Sequence, residues 1–383
     1  MIAPSSNHYV IKTDRLYTPD EVAGTWWVEI DAHQIVHVTE EQPVGLETLD
    51  ATGLLVAPGF IDVHIHGFGG HDIMEGSPEA LEAMAGGLPR FGVTSFLPTT
   101  VGAKVTVLEQ VMRALTPKLL TVSGARPLGW HLEGPFLSPN MPGAMNPEDF
   151  EEPTDANIAA LLNAGPLLLM AVAPERDGAV AAIEQLVSHG VHVSIGHTDA
   201  DFEHAVAGIA AGATSLNHLF NVMRPMLHRE PGPVATAFLY DVYLQFIADG
   251  VHTHPATIAL ISRYLKERLV LISDAVLAAG LDVRGAFVFD GKEVTVDETS
   301  VRLPGGRLAG SILTLDRAVR NVVSIGGLDC ASAFRAAGLN PARSIGVTDR
   351  GLIKPGAIAD IAVLTPDLHV VATICEGRMA YSA

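Results

Sequence analysis

From Val56 to about Gly280 the chain repeats one pattern eight times: an apolar run of four to eight residues, then an Ala- and Leu-rich stretch of helical character. The runs are Phe60–Ile65, Thr94–Leu97, Leu128–Leu132, Leu167–Val172, Val191–Ile195, Ser215–Leu219, Leu244–Ile247 and Leu269–Ile272. A continuous apolar run of this length, bounded by turn residues, reads as a strand buried on both faces. Strands that alternate with helices build a parallel sheet of βα units. Eight such units favour closure into an α/β fold of the (β/α)8 TIM-barrel type over an open doubly wound sheet. No Gly-x-Gly-x-x-Gly follows the first run to mark a dinucleotide fold.

The two ends of the chain read differently. Up to about Leu55 the sequence alternates in short bursts, as in Trp26-Trp27-Val28-Glu29-Ile30 and Gln34-Ile35-Val36-His37-Val38, and Ile358–Leu364 and Val370–Glu376 do the same around Thr365-Pro366-Asp367. Period-two alternation predicts half-buried antiparallel strands. The expected organisation is therefore a small β-sandwich domain formed by the N- and C-terminal segments, 1–55 and 350–383, flanking a barrel over 56–349. After Gly280 a hairpin is expected from Phe287 to Leu303, with Asp290-Gly291 at its turn, and helices then run through Arg343.

Composition narrows the function classes. Lys plus Arg is 24 against 43 Asp plus Glu, a formal charge of −19, which repels nucleic-acid phosphates and anionic lipid surfaces alike. An anionic small substrate then needs a local cationic pocket. Cys330 and Cys375 are the only cysteines, too few for a disulfide framework, and no apolar run reaches the ~18 residues of a membrane span. The start lacks a basic segment followed by an apolar one, so the expectation is a soluble, cytoplasmic protein with no nucleic-acid or membrane partner.

In a (β/α)8 barrel the functional side chains come from the C-terminal ends of the strands, so polar residues closing the apolar runs are the ones to weigh. Run one ends in His64-Ile65-His66. Residues i and i+2 share a strand face, so both imidazoles can point into the barrel mouth and chelate one ion, where a lone surface histidine would carry little weight. Run three places Glu133 after Trp130-His131-Leu132, where an unpaired charge is costly; a cation relieves that cost, and so does a salt bridge to an arginine. Runs five and six end in Gly196-His197-Thr198 and Asn217-His218-Leu219. With Glu133 these histidines make a His2Glu set, a common ligand type for catalytic zinc, though any one of them alone reads first as a hydrogen-bonded core histidine. Run eight ends in Ser273-Asp274-Ala275. Asp274 sits where a general acid/base beside an ion belongs, and an N-cap role for it is the bland alternative. Arg229 in the loop after run six, and His252 after run seven, can bring positive charge to a substrate phosphate or be ordinary surface groups.

Taken in order, PGFIDVHIHG, HLEGPF, IGHT, NHLFN, REPG, ADGVH, SDA and LAGS resemble the motif series of the N-acetylglucosamine-6-phosphate deacetylases within the amidohydrolase superfamily. The resemblance spans nearly the whole chain and extends to the ending NPARSIGVTDRGLIKPGAIADIAVL. His-x-His is shared across the superfamily, whereas HLEGPF followed by NHLFN and REPG is specific to these deacetylases. The resemblance implies hydrolysis of an N-acetyl group from a phosphosugar, Glu133, His197 and His218 as ligands of the main metal, and Asp274 as acid/base. It implies Asn221, Val222, Arg229 and His252 about the phosphosugar, with Ala144, Met145, Leu308, Ala309 and Gly310 lining the substrate. His64 and His66 match the subset of such enzymes that takes a second ion, so the implied cofactor is one or two divalent ions per subunit, zinc first, with iron, cobalt or manganese as other choices. A homodimer is implied as well.

One departure stands out: where these enzymes usually carry a loop reading Lys-Gly-Ala-His, this chain has Met141-Pro142-Gly143-Ala144-Met145. A thioether cannot donate a hydrogen bond. Either the ion alone polarises the acetyl carbonyl, or another residue substitutes, or the substrate differs. Two rival readings share some of these residues. A cyclic-amide hydrolase of the dihydroorotase kind has the His-x-His and the strand-eight Asp, but commonly bridges two metals with a carboxylated lysine after strand four, and run four here holds no lysine. A non-catalytic metal- or sugar-binding protein would keep the barrel without turnover.

Overall fold

The computed structural model describes residues 2–383, and in it all eight apolar runs are strands: Phe60–Ile65, Val93–Thr100, Trp130–Leu132, Leu167–Val172, His192–Ile195, Ser215–Leu216, Tyr243–Phe246 and Leu269–Leu271. Each pairs in parallel with the next in chain order. Closure from strand eight back to strand one is made beyond the strand ends. Asp274 N–H donates to the His64 carbonyl at 2.9 Å and His66 N–H to the Ala275 carbonyl at 2.9 Å, and a single parallel bridge joins Ile65 to Ala275. The last bonds that shut the barrel are thus made at the two strand ends that hold the candidate site residues His64, His66 and Asp274.

The runs are continuously apolar because each strand is covered twice, by the barrel interior and by the helical layer outside. Every residue of Phe60–Ile65 and of Val93–Thr100 is buried, which puts the carboxylate of Asp62 and the imidazole of His64 inside the core. Burial raises the Asp62 carboxyl to about 6 against the backbone and side-chain hydrogen bonds it accepts from Ser273 and His64. Gly59, where the chain enters strand one, leaves no room for a side chain, since a Cβ there would lie 2.2 Å from Thr94 Oγ1.

The terminal segments form one eight-stranded sheet in the order Arg378–Ser382, Val370–Cys375, Ile361–Leu364, Leu55–Pro58, His8–Tyr17, Glu21–Asp31, Gln34–Thr39, with Glu47–Asp50 also paired to His8–Tyr17. It packs around a core of its own that includes Tyr9, Ile11, Val28, Ile30, Ile361, Val363 and Ile374. An ionic chain joins this sheet to the barrel: Arg126 donates to both Glu376 carboxylate oxygens, and Arg350 bridges Glu376 and the buried Asp360.

After strand eight the expected hairpin is a three-stranded antiparallel insert, Gly285–Phe289, Lys292–Val296 and Val301–Arg302. Asp290 and Gly291 turn it with φ of 49° and 67°, the doubly left-handed pair that a two-residue type I′ turn needs. Phe289, Val294, Val296 and Val301 pack with Val101, Leu137, Met145 and Phe150 over the barrel mouth, a cluster separate from the barrel core. The insert thereby becomes the roof of the site.

Candidate metal centre and substrate cavity

His64 and His66 leave strand one on the same face, as period two requires, and both are buried. Glu133 follows strand three directly, His197 lies two residues past the end of strand five, and His218 two past strand six. Strand six is shorter than its apolar run, because the backbone leaves the extended region there. His197, His218 and Asp274 have φ of 46°, 20° and 49°. Non-glycine residues seldom adopt such angles, and each costs on the order of 1 kcal/mol that surrounding structure must offset. Here the turn swings each side chain from its strand into the mouth.

The outer ring nitrogens decide what the inner ones can do. His66 Nδ1 faces the Thr99 carbonyl, His197 Nδ1 the Met141 carbonyl and His218 Nδ1 the Asn221 carbonyl, each at 3.1 Å, and His64 Nδ1 faces Asn217 Oδ1 at 3.0 Å. An oxygen of this kind only accepts, so each Nδ1 carries a proton and, in the neutral ring, each Nε2 presents a bare lone pair. Those Nε2 atoms converge. His64 and His66 approach to 3.1 Å, His197 and His218 to 3.1 Å, and Glu133 Oε1 lies 2.9 Å from His218 Nε2 and 3.1 Å from His197 Nε2. Four lone pairs and a carboxylate aimed at one another repel unless a positive charge lies between them. This is the donor set, with its outer hydrogen bonds, that a divalent ion takes. Two three-residue groups meet the spacing, His64/His66/Glu133 and Glu133/His197/His218, sharing Glu133.

Charge in the cluster is consistent with that use. Burial by itself would raise the Glu133 carboxyl, but positive charge on the His64 and His197 rings, the place a bound cation would take, outweighs it and holds the group well below the usual carboxylate range. Asp274 is likewise opposed by burial and lowered by His66 and His64, with Oδ1 at 3.2 Å and 3.5 Å from their Nε2 atoms. Both carboxylates are ionised at neutral pH. Asp274 caps no helix, since the next one among the described residues begins only at Leu315 and has Thr314 at its N-cap position, so the N-cap alternative falls away.

The cluster forms the floor of a cavity of about 430 Å³. Ala144, Met145, Asn221, Val222, His252, Leu308 and Gly310 line it together with His66, Glu133, His197, His218 and Asp274, while Ala309 is fully buried behind the wall. His252 is pinned by the buried Asp249, Nδ1 to Oδ2 at 2.6 Å; burial opposes its charge, but Asp249 wins and raises it above the ordinary histidine value. Arg229 is elsewhere, on an exposed loop that does not line this cavity. Met145 is buried against Val101, Leu137, Phe150 and Phe289, and its sulfur accepts from the Gly102 N–H, so it serves as wall. Two residues escaped the sequence reading. Asn217 ties the two ligand groups together, its Nδ2 donating to Glu133 Oε1 at 2.8 Å while its Oδ1 holds His64. Its place at the tip of strand six was the available signal. Arg307 also lines the cavity, and nothing local marks it, because it comes from the insert and not from a strand end.

The Amidohydrolase family model matches residues 55–380. The chain belongs to the amidohydrolase family. Among its relatives is the N-acetylgalactosamine-6-phosphate deacetylase of Escherichia coli O157:H7, 38% identical over 97% of this chain and 99% of its own length. The N-acetylglucosamine-6-phosphate deacetylase of Bacillus subtilis (strain 168) is 35% identical over 97% of each. The solved N-acetyl-D-glucosamine-6-phosphate deacetylase of Mycobacterium smegmatis superposes with a TM-score of 0.92 at 33% identity, covering 98% of this chain and all of that one. A mutant of that protein has been solved in complex with N-acetyl-D-glucosamine-6-phosphate. As an amidohydrolase of this branch the chain is a metal-dependent hydrolase, and its buried His/Glu groups are compatible with a divalent ion. Among the described residues no helix is long and apolar enough to cross a membrane.

Proposed function

We propose that this amidohydrolase removes the acetyl group from N-acetylglucosamine 6-phosphate, giving glucosamine 6-phosphate and acetate. The observation that carries the reading is the convergence of four imidazole Nε2 atoms and Glu133 beside an ionised Asp274, at the floor of a cavity whose wall also holds His252. Glu133, His197 and His218 would hold one divalent ion, zinc being the first choice for a His2Glu set, and His64 and His66 would share Glu133 with a second. When bound, the ion supplies Lewis acidity, lowering the pKa of water and polarising the acetyl carbonyl.

The chain's own groups do the rest. Asp274 Oδ1 accepts the proton of the attacking water as its oxygen bonds to the acetyl carbon. The same carboxyl then delivers that proton to the amide nitrogen as the C–N bond breaks, leaving acetate and the free amine. His252, whose charged form Asp249 favours, is a donor for the 6-phosphate, and Asn221 lies on the same wall. The apolar wall of Met145, Val101 and Phe289 keeps bulk water from the reacting carbonyl.

Arg229 would act across a subunit boundary. Met226, Leu227, Phe238 and Leu239 are exposed on the same stretch of chain, an apolar surface that a homodimer would cover while carrying Arg229 towards a neighbouring phosphate pocket. The Escherichia coli relative favours a second reading, N-acetylgalactosamine 6-phosphate as the preferred substrate. Acetate release from the gluco and galacto sugars, each with and without 6-phosphate, tests both. Activity confined to one phosphorylated epimer selects between them, and acetate from none of the four refutes the deacetylase reading.

A further inference from the structure

Two cationic side chains of the insert reach over the cavity to one short loop. The loop, Ser138 to Asn146, passes over His197. Arg307 Nη1 donates to the Gly143 carbonyl at 2.7 Å, and Lys292 Nζ donates to the next carbonyl, that of Ala144. Two successive carbonyls held by separate donors restrain both the position of the loop and its rotation about the chain. Arg307 pairs with no carboxylate among the described residues, and Lys292 pairs besides only with Asp290, at 3.6 Å.

The other side of the loop is bound to His197 itself. Ser138 N–H donates to the His197 carbonyl at 2.9 Å, and His197 Nδ1 donates to the Met141 carbonyl at 3.1 Å. Gly143 lies against the ring, where a Cβ would come within 3.1 Å of His197 Cε1. Met145 closes the loop by sinking into the apolar cluster it shares with Phe289 of the insert. The path from insert to loop to imidazole is continuous.

We propose that Arg307 and Lys292 are positioning residues for His197. By holding the Gly143 and Ala144 carbonyls they set the Met141 carbonyl against Nδ1 and so aim Nε2 at Glu133 and His218. The proposal rests on reading Glu133, His197 and His218 as a metal-ligand set. It also gives the loop's departure a role: Met145 is the apolar anchor of a strapped loop, in place of a hydrogen-bond donor to substrate.

The test is the zinc affinity of the full chain, measured by chelator competition on wild type, the R307A/K292A double variant, R307K and H197A, with thermal unfolding as the control for fold. Losing the outer partner of a ligating histidine weakens metal binding by roughly 10–100-fold. The double variant should therefore bind zinc about tenfold more weakly while still filling the same number of sites at saturation. R307K, which keeps the charge and most of the reach, should stay within about threefold of wild type. A double variant whose affinity is within about twofold of wild type overturns the proposal. H197A separates the two readings. If it keeps wild-type zinc affinity, the ligand set is wrong; if it loses zinc while the double variant does not, only the straps fail. Should the double variant not fold, R307A and K292A assayed singly decide it, each expected to weaken binding about threefold.

Discussion

Replacing Asp274 by asparagine removes the proposed general base with little else disturbed. Asparagine matches the volume, and it tolerates the left-handed φ of 49° as well as aspartate does, whereas alanine would add backbone strain. The backbone bonds that shut the barrel, Asp274 N–H to the His64 carbonyl and Ser311 N–H to the Asp274 carbonyl at 2.8 Å, do not involve the side chain. What is lost is a carboxylate held ionised by His66 and His64 at 3.2 Å and 3.5 Å. General-base catalysis is worth roughly 10²–10⁴ in rate, or about 3–5 kcal/mol of barrier. The expected outcome is a fall of that size in kcat for acetate release at saturating zinc, an unfolding temperature within a few degrees of wild type, and zinc still bound by Glu133, His197 and His218. Each quantity is measured on the same preparation, with elemental analysis for the ion. A kcat within about threefold of wild type, with metal content unchanged, would refute Asp274 as the base.

Chelation should abolish acetate release and zinc should restore it, so full activity in protein shown to be metal-free ends the metal-dependent mechanism. H64A/H66A should lower the metal content per chain while leaving the Glu133/His197/His218 ion in place; identical elemental analysis before and after removes these histidines from the ligand set. H252A should cut kcat/KM for the 6-phosphate substrate by about 10–100-fold, the worth of a charge-assisted hydrogen bond of about 1.5–3 kcal/mol, and R229A should do so only if the protein is dimeric in solution. Equal losses on the unphosphorylated sugar would make both residues structural. Glu376, lowered to about 2 by its bonds from Arg126 and Arg350 against the opposing effect of burial, stabilises the fold fully above the unfolded carboxylate pKa of about 4.3. That contribution, on the order of 2 kcal/mol, drains away as pH falls towards 2. E376Q should be less stable near neutrality and show a flatter stability profile between pH 5 and 2 in urea titrations; parallel profiles for the two proteins would show that the ionic chain contributes nothing.

The barrel was legible in the chain because its signal is local. Burial on both faces demands an uninterrupted apolar run, and eight such runs between helical stretches leave few topologies open. The same locality exposed the candidate ligands. His64 and His66 share a face because a strand repeats every two residues, and Glu133 and Asp274 stand out as charges at the ends of runs that tolerate none.

Tertiary structure decided what no window of sequence contains. The pairing of each Nδ1 with an oxygen, which turns four histidines into four inward lone pairs, draws for His66, His197 and His64 on Thr99, Met141 and Asn217, 33, 56 and 153 residues away, and only His218 finds its acceptor locally, at Asn221. Arg229 and Arg307 look alike as isolated arginines in loops, yet only Arg307 reaches the cavity, because the insert that bears it folds back over the mouth on Phe289, Val294, Val296 and Val301. Met145, a missing donor in the sequence, is a packed wall in the fold. Where a side chain points within a strand follows from its own backbone, and the sequence determines it; which acceptor, cation or wall it meets depends for the most part on segments distant in the chain, from 33 residues for His66 and Thr99 to 164 for Arg307 and Gly143, and only packing brings those together.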